Sequence, residues 1–313
     1  MLSVRKTFSP ITILIISIFC FEPSVQAQIA TDVPLDHMRP SHEHQWTPLC
    51  ANSFLSDGWG EPWIQPPSAG HSGAPRQGWL NTADGFFTRE YHVFYGLTNN
   101  VELPASQTQD VHTGLYQLQL PLSRRLWAGL DVPFTSISDR PGNTAGVTKF
   151  DDIRITTKFM IQETRNHAIS TELGLRVPTG DNEVGAGIGS LTPKINSWRD
   201  IGNAWSLRWA VGTEIFTEGI SPGASDTDLL YNLALGKTLT PHEAAPWGDL
   251  TFHLSLNGRT NLNAVQNQTF LSLTPGIRTH LFDNIFLLSA LEFPVSGHDS
   301  FDNRLLIQIV RGF

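Results

Sequence analysis

The segment at the end of the chain, Asp302 to Phe313, constrains the fold most strongly. Successive side chains of a β-strand point to opposite faces, and one face here carries Leu305, Ile307, Ile309 and Phe313. Arg311 interrupts that face one step before the end, next to a membrane boundary, where a charge costs only about 0–1 kcal/mol. Alternating apolar residues followed by a terminal Phe are typical of the strand that closes an outer-membrane β-barrel. Phe313 is therefore predicted to be the barrel-closing terminal residue.

The beginning of the chain carries an export signal. Arg5 and Lys6 precede the apolar run 11–21, and Val25-Gln26-Ala27 offers small residues for cleavage, so residues 1–27 are predicted to be a signal peptide. The apolar run is too short to favour a membrane-spanning helix. Removal of the signal leaves Cys50 as the single cysteine, which excludes an internal disulfide in the mature chain.

Composition and charge agree with a barrel. Hydrophobic residues make up 40% of the chain, and 26 Gly and 20 Pro suit many turns. The chain has 21 basic and 29 acidic residues, a net charge of −8 that becomes −9 without the signal peptide. An acidic chain is a poor nucleic-acid binder, so no nucleic-acid partner is expected.

The texture of the sequence changes at about Thr88. Residues 28–87 are rich in Pro, Gly, His and Trp and show no sustained period, so they are predicted to be an irregular periplasmic segment. Two interpretations stay open for it: a disordered segment, or a plug that tucks into the barrel. From Thr88 onward, apolar and polar residues alternate in stretches separated by turn residues.

About twelve alternating segments can be counted, each near the ten-residue length of a tilted membrane strand. They lie near 88–98, 111–121, 125–136, 151–162, 167–178, 192–199, 204–217, 227–238, 247–258, 268–280, 284–294 and 303–313.

Apolar and polar residues also alternate along the strands of a soluble β-sandwich, so the lengths of the connections are needed to distinguish it from a membrane barrel. Long polar connections such as 98–110 take turns with short ones such as 122–125, and bacterial barrels place short turns in the periplasm. Residues 239–246, with Pro241 and Pro246, form a longer inner turn. The prediction is an all-β, transmembrane, antiparallel up-and-down β-barrel of about 12 strands in the outer membrane, spanning 88–313.

The polar faces of these strands must line the interior, because an Arg or Lys facing lipid at mid-depth costs about 2–4 kcal/mol. The lumen-lining candidates are Asp131, Asp152, Arg154, Lys158, Glu172, Arg176, Arg208, Glu214, His253, Arg278 and Glu292. For any one residue, an ion pair that braces the wall is favoured over a place on a polar path for solutes. Twelve strands lie between the filled eight-stranded barrels and the open sixteen-stranded porins, which indicates a narrow or partly plugged lumen.

Aromatic residues near the predicted inner turns favour an interfacial girdle. They are Trp127, Trp205, Trp247, Phe282, Phe286 and Phe313. The alternative is that some of them fill the core.

Two short motifs carry a family resemblance. Val177-Pro178-Thr179-Gly180-Asp181 stands where a strand enters a Gly-rich outer loop, and Phe150-Asp151-Asp152-Ile153 starts a strand with Asp151 in the place of a Gly. With the terminal Phe, they resemble the MetA-pathway of phenol degradation family of outer-membrane transporters, over roughly Thr88 to Phe313. The resemblance implies a barrel for uptake of small, often hydrophobic or aromatic, molecules, and it brings no catalytic residues.

Two constellations have weaker functional interpretations. His253 and Ser255 share a strand face, as in the His-x-Ser pair of some outer-membrane lipid hydrolases, but this face is the predicted lumenal one, so no enzyme is expected. His37, Met38, His42 and His44 suit a solvated linker better than a metal site. No metal and no cofactor are expected.

The sequence thus favours a passive outer-membrane channel or uptake protein, with residues 28–87 as a gate. The alternative is a structural or anchoring barrel with a closed interior, in which this segment binds a periplasmic partner; a lipid hydrolase is a distant third. The expected partners are outer-membrane lipids, the barrel assembly machinery and a small-molecule solute.

Overall fold

The computed structural model describes residues 46–67, 73–103, 107–138, 147–181, 187–217, 225–264, 268–296 and 301–313. The predicted signal peptide and the cluster of His37, Met38, His42 and His44 lie outside the described residues. The chain divides into two compact units, residues 1–47 and 48–313, and the second unit contains all the structure described below.

The described part of this unit contains one short 3-10 helix, Ala51–Ser53, and thirteen strands. The strands are β1 (Glu90–Leu103), β2 (Gln107–Pro121), β3 (Leu126–Ser138), β4 (Val147–Phe150), β5 (Ile153–Thr164), β6 (His167–Val177), β7 (Ser190–Gly202), β8 (Trp205–Phe216), β9 (Thr227–Thr238), β10 (Gly248–Asn261), β11 (Thr269–Phe282), β12 (Ile285–Pro294) and β13 (Asn303–Gly312).

The strands form one closed antiparallel sheet. Apart from β4 and β5, strands that follow each other in the chain pair with each other, and β1 closes the circle by pairing with β13 from Glu90–Gly312 to Asn99–Asn303. β4 and β5 both pair with β3 and are separated only by Asp151 and Asp152, so together they make one interrupted wall strand. The predicted antiparallel barrel of twelve wall strands is confirmed.

The observed strands extend beyond the predicted ones mainly at the outer end. β1 continues to Leu103 and β2 begins at Gln107, whereas the predicted segments stop at 98 and start at 111. Beyond the hydrocarbon region, hydrogen bonds between the strands still pair the backbone groups. Water hydrates polar side chains on both faces there, so the alternation of apolar and polar residues ends before the strand does. The inner turns at 165–166, 203–204 and 283–284 are short, and we call their end of the barrel the periplasmic end.

The two faces of the wall differ as the alternation predicts. Along β8, Trp205, Trp209 and Val211 are exposed, whereas Ser206 and Arg208 are buried. β10 repeats this with exposed Phe252 and Leu254 beside buried His253 and Ser255. The outward face is an apolar band, as an outer-membrane location requires. Among the described residues, the chain has no helix of the length and apolarity that a membrane crossing needs.

Two aromatic residues correct the predicted girdle. Trp127 is only 3% exposed and shares the inward face of Gly129 and Asp131, and Phe286 shares the inward face of Leu288 and Ala290. Parity along each strand decides the side, and nearness to a turn does not override it. Trp205, Trp247, Phe282 and Phe313 are exposed, as a girdle requires.

The described residues before β1 lie against inward-facing wall residues. Phe86 and Phe87 pack with Trp127, Met160, Ala168 and Trp198 in one buried cluster. Leu80 packs in a second buried cluster with Leu288, Ala290, Leu306 and Val310. We call residues 73–89 the lumenal segment and residues 48–67 the periplasmic cap.

Candidate functional site: the lumen and the segment inside it

Trp79 is the centre of the lumenal segment. Its ring stacks on the His253 imidazole, with 5.1 Å between centroids and 11° between planes. On Trp79 also lies the Arg208 guanidinium, whose Cζ is 3.5 Å from the ring centroid. A planar cation over an indole face is a favourable contact, more so when water is excluded. Arg208 and His253 are both buried, so the wall holds this indole by two flat groups.

Polar contacts fix the backbone on either side of Trp79. Arg208 also pairs with the Asp84 carboxylate and donates to the Gln77 carbonyl. Arg278 Nη1 donates to the Gly78 carbonyl at 3.0 Å. Asn232 Nδ2, at mid-height on β9, donates to the Asn81 carbonyl at 3.2 Å. Side chains of the wall therefore donate the hydrogen bonds that the buried carbonyls of this irregular segment need.

Gly85 sets how closely the lumenal segment approaches the wall. A Cβ there would lie 2.6 Å from the Trp198 nitrogen and 2.8 Å from the Ala168 oxygen, both backbone atoms that cannot swing away. Next to it, Phe86 meets Trp198 edge to face at 5.9 Å. Farther along, Trp127 Nε1 donates to the Thr88 carbonyl at 3.0 Å. The inward Trp127 thus serves as an anchor for the segment.

Arg125 attaches the periplasmic cap to the wall. Its guanidinium donates to the cap carbonyls of Cys50, Ser53 and Asp57 at 2.9–3.2 Å, and to the β5 carbonyls of Met160 and Ile161 at 2.7 and 2.8 Å. The side chain is fully buried. The Arg125 guanidinium therefore joins the cap to β5, because it donates hydrogen bonds to carbonyls of both.

Glu163 forms a second attachment below the lumen. Its backbone exchanges two hydrogen bonds with Leu49, at 2.8 and 2.9 Å. Its carboxylate pairs with Arg76 at 2.5 Å. Burial lowers the pKa of the Arg76 guanidinium, and the charge of Glu163 opposes that shift.

A cavity of about 380 Å³ lies at the periplasmic end, between the periplasmic cap, the lumenal segment and the wall. Its lining mixes aromatic and charged side chains, including Trp63, Phe87, Arg278 and Phe286. The Arg278 guanidinium lies over the Phe286 ring, with Cζ 4.2 Å from the centroid.

Ion pairs line the lumen from mid-height to the outer end. Glu172 pairs with Lys194 at 2.7 Å and with Lys158 at 3.7 Å. Glu214 pairs with Arg176 at 3.3 Å and with Arg259 at 3.7 Å. Glu292 pairs with Arg304 at 3.1 Å. Each carboxylate bridges two strands or more, so the pairs brace the wall while keeping its inner surface polar.

A repeated sequence supports two of these carboxylates. Ser-Leu-Thr-Pro occurs at 190–193 on β7 and again at 272–275 on β11. Ser190 Oγ donates to Glu214 at 2.8 Å, and Ser272 Oγ donates to Glu292 at 2.6 Å. Sequence reasoning missed these serines, although the repeated string was a signal that could have found them.

The two short motifs of the sequence lie against each other at the outer rim. Gly180 N donates to the Asp152 carboxylate at 2.9 Å, and Ile153 N donates to Thr179 Oγ1 at 3.1 Å. A Cβ on Gly180 would lie 2.8 Å from the Asp151 backbone, so this turn needs a Gly.

The family model described as "Putative MetA-pathway of phenol degradation" matches residues 92–248, half of the chain, including both motifs. The chain belongs to this family.

Two solved structures are similar to this MetA-pathway family member, and the first of them agrees with the barrel fold. A COG4313 outer membrane channel from Pseudomonas putida F1 is 14% identical, with a TM-score of 0.57, over 76% of this chain and 100% of that chain. The NanC porin is 8% identical, with a TM-score of 0.49, over 71% of this chain and 98% of that chain. No curated protein is significantly similar in sequence.

The sequence-predicted lumen residues of the family member fall into four groups. Arg208, His253, Arg278 and Lys158 contact the lumenal segment. Glu172, Arg176, Glu214 and Glu292 belong to the ion pairs, and Asp131 accepts from Gln117 at 2.8 Å and pairs in register with Arg154. Asp152 holds the outer-rim turn.

The His253 and Ser255 pair lies inside the barrel. Both residues are buried, and the Trp79 indole covers the His253 ring. The exposed neighbour is Leu254, as the alternation predicts. A lipid in the surrounding membrane therefore meets Leu254 rather than the pair. Within the described part of the chain, no three His, Cys, Asp or Glu side chains are grouped as a metal site would need.

Proposed function

We propose that this protein is an outer-membrane channel for the passive uptake of small, hydrophobic or aromatic molecules. The observation that carries the proposal is that the protein's own segment occupies the lumen, while ion pairs keep the inner surface of the wall polar from mid-height to the outer end. Family membership supports this solute class, because the family is described by phenol degradation and phenol is a small aromatic molecule. The proposed activity is transport and not catalysis.

In this proposal residues 1–27 are removed as the signal peptide, residues 28–87 act as the plug, and residues 88–313 form the wall. The plug narrows the lumen from mid-height, where Asn81 meets the wall, toward the periplasmic end, where Trp79 meets it. The ion-paired outer half receives the solute, and the 380 Å³ cavity lies on the periplasmic side of the plug. Outer-membrane lipids and, through the terminal strand, the barrel assembly machinery are the proposed partners.

Single-channel conductance in a planar bilayer tests the channel. The wild-type protein is expected to show small KCl conductance steps, because the plug leaves a narrow path. Trp79→Ala removes the indole between Arg208 and His253 and should raise the conductance roughly twofold, since a constriction dominates the resistance of a pore.

Trp205→Ala is the matched control, because Trp205 lies on the lipid face of the same strand as Arg208. It should leave the conductance unchanged. Absence of channel events in both the wild type and Trp79→Ala would favour the alternative, a closed structural or anchoring barrel. The dense ion pairs of the wall are the observation that keeps this alternative in view.

A further inference from the structure

The periplasmic cap reaches the lipid face of the barrel. Phe159 is an outward residue of β5, because its neighbours on both sides face the lumen: Lys158 pairs there with Glu172, and Met160 is fully buried. The Trp59 ring of the cap lies against this outward ring, with 6.1 Å between centroids and 50° between planes. The cap therefore crosses the rim beside β5 and contacts the surface of the wall that meets lipid.

Internal contacts fix the shape of residues 54–59, which we call the cap tip. Phe54 meets Trp59 edge to face at 5.4 Å, and Trp59 Nε1 donates to the Phe54 carbonyl at 2.6 Å. The Arg125 guanidinium lies over the Phe54 ring, with Cζ 5.4 Å from the centroid. Gly58 has a φ of +85°, which a Gly adopts without strain. The indole N–H has its acceptor within the tip, so Trp59 can enter an apolar environment without losing a hydrogen bond.

The cap tip also exposes apolar surface. Leu55 is 89% exposed, more than any other large hydrophobic side chain of the described residues. Just after the tip, the cap is attached to the β2–β3 turn, where Arg124 N donates to the Glu61 carbonyl at 3.1 Å and the two side chains pair at 2.9 Å. Leu122 of the same turn is 58% exposed. Exposed apolar groups that adjoin a lipid-facing wall indicate a membrane contact.

The lipid face of the wall continues into the cap tip. Phe159 pairs in register with Leu126, the outward residue at the start of β3, so the two side chains belong to the apolar band. Trp59 extends this band beyond the wall, because its ring lies on Phe159. Tryptophan is enriched where a bilayer meets water, since its ring is apolar and its N–H is polar. The leaflet that covers Phe159 is therefore the surface that the cap tip meets first.

We propose that the cap tip is a membrane anchor that inserts Leu55 and Trp59 into the periplasmic leaflet of the outer membrane, beside the barrel wall. The partner is a phospholipid surface: the acyl chains surround Leu55, and the Trp59 ring lies at the level of the headgroups. Removal of the Leu55 side chain from water drives the insertion. The cap is then held by two attachments, Arg125 at the wall and the leaflet at the tip. The anchor does not depend on whether the barrel conducts.

The test measures the depth of a nitroxide on Leu55→Cys, in the full-length protein with Cys50→Ser, in vesicles of phosphatidylethanolamine and phosphatidylglycerol. Oxygen dissolves in the hydrocarbon and a nickel chelate stays in water, so the logarithm of the ratio of their EPR collision rates reports depth. This depth parameter should be positive at Leu55. Leu254→Cys, on the lipid face of β10, is the positive reference. Gln65→Cys, exposed in the same cap on the side of the periplasmic cavity, should give a negative value.

Trp59→Ala removes the ring that lies on Phe159, so it should lower the depth parameter at Leu55 toward the value at Gln65. Trp205→Ala is the matched control, because it removes an exposed indole from the lipid face of β8, and it should leave the parameter unchanged. Heat-modifiable gel mobility shows that each variant contains a folded barrel. A negative parameter at Leu55 in the otherwise unchanged protein would overturn the anchor and favour a protein partner in the periplasm. A parameter that Trp59→Ala leaves unchanged would overturn the role of Trp59.

Discussion

At the scale of single residues, two glycines and one arginine have roles that only the structure reveals. Gly85 and Gly180 lie where a side chain would strike backbone. Arg125 directs its donors to carbonyls of two elements. The sequence shows a Gly in a Pro-rich stretch and an Arg in a turn, and neither pattern tells which distant backbone comes near. Such contacts depend on how a segment without periodicity is threaded.

Gly85→Ala tests the close approach of the lumenal segment. The new methyl group would overlap the backbone of Trp198, and overpacking of this kind typically costs about 1–3 kcal/mol. The free energy of unfolding in urea should fall by that amount. Gly60→Ala is the control, since a Cβ there meets nothing within 4 Å. Equal stability of the two variants would contradict the contact.

At the scale of elements, strands were predictable and the cap was not. Alternation located all the wall strands, because lipid on one side and a polar lumen on the other impose a period of two. It also assigned the inward faces of Arg208 and His253. Residues 48–67 have no period, and their attachment depends on Arg125 and on the Leu49–Glu163 bridge, which join positions far apart in sequence.

Arg125→Met should release the cap while the barrel stays folded. The variant loses the hydrogen bonds that the Arg125 guanidinium donates, each worth about 1.5–3 kcal/mol. The carbonyls of the cap and of β5 that accept them are left without this donor. A nitroxide on Cys50, which is exposed, reports the change: its EPR lines should narrow. Arg199→Met is the control, because it replaces an exposed Arg of the wall near the periplasmic end. It should leave the EPR lines as broad as in the wild type. Broad lines in Arg125→Met would show that other contacts hold the cap.

At the scale of the whole molecule, alternation of loop lengths predicted closure and orientation, whereas the content of the lumen stayed open between two interpretations. Alternation shows that Glu172 and Lys194 face inward, but it does not show that they meet, since pairing depends on register across strands. The same holds for Trp79, because no pattern in the sequence places its indole on Arg208 and His253.

Glu172→Gln tests whether these charges face permeating ions. The substitution leaves Lys158 and Lys194 without their shared carboxylate, so the lumen becomes more positive at mid-height. The reversal potential in a KCl gradient should therefore shift toward the equilibrium potential of chloride. Glu243→Gln changes an exposed charge in the β9–β10 turn by the same amount and should produce no shift. An unchanged potential in both would place the ion path away from Glu172.

The seam between the first and last strands gives assembly an order. The lumenal segment runs directly into β1 at Glu90, and β1 zips against β13, where Tyr91 stacks on Phe313 at 4.3 Å. The segment that fills the barrel is thus synthesised before all the wall strands, and β13, which completes the wall, is synthesised after the other strands. The wall strands can therefore assemble around the lumenal segment. Pairing of β13 with β1 then closes a barrel whose interior is already filled.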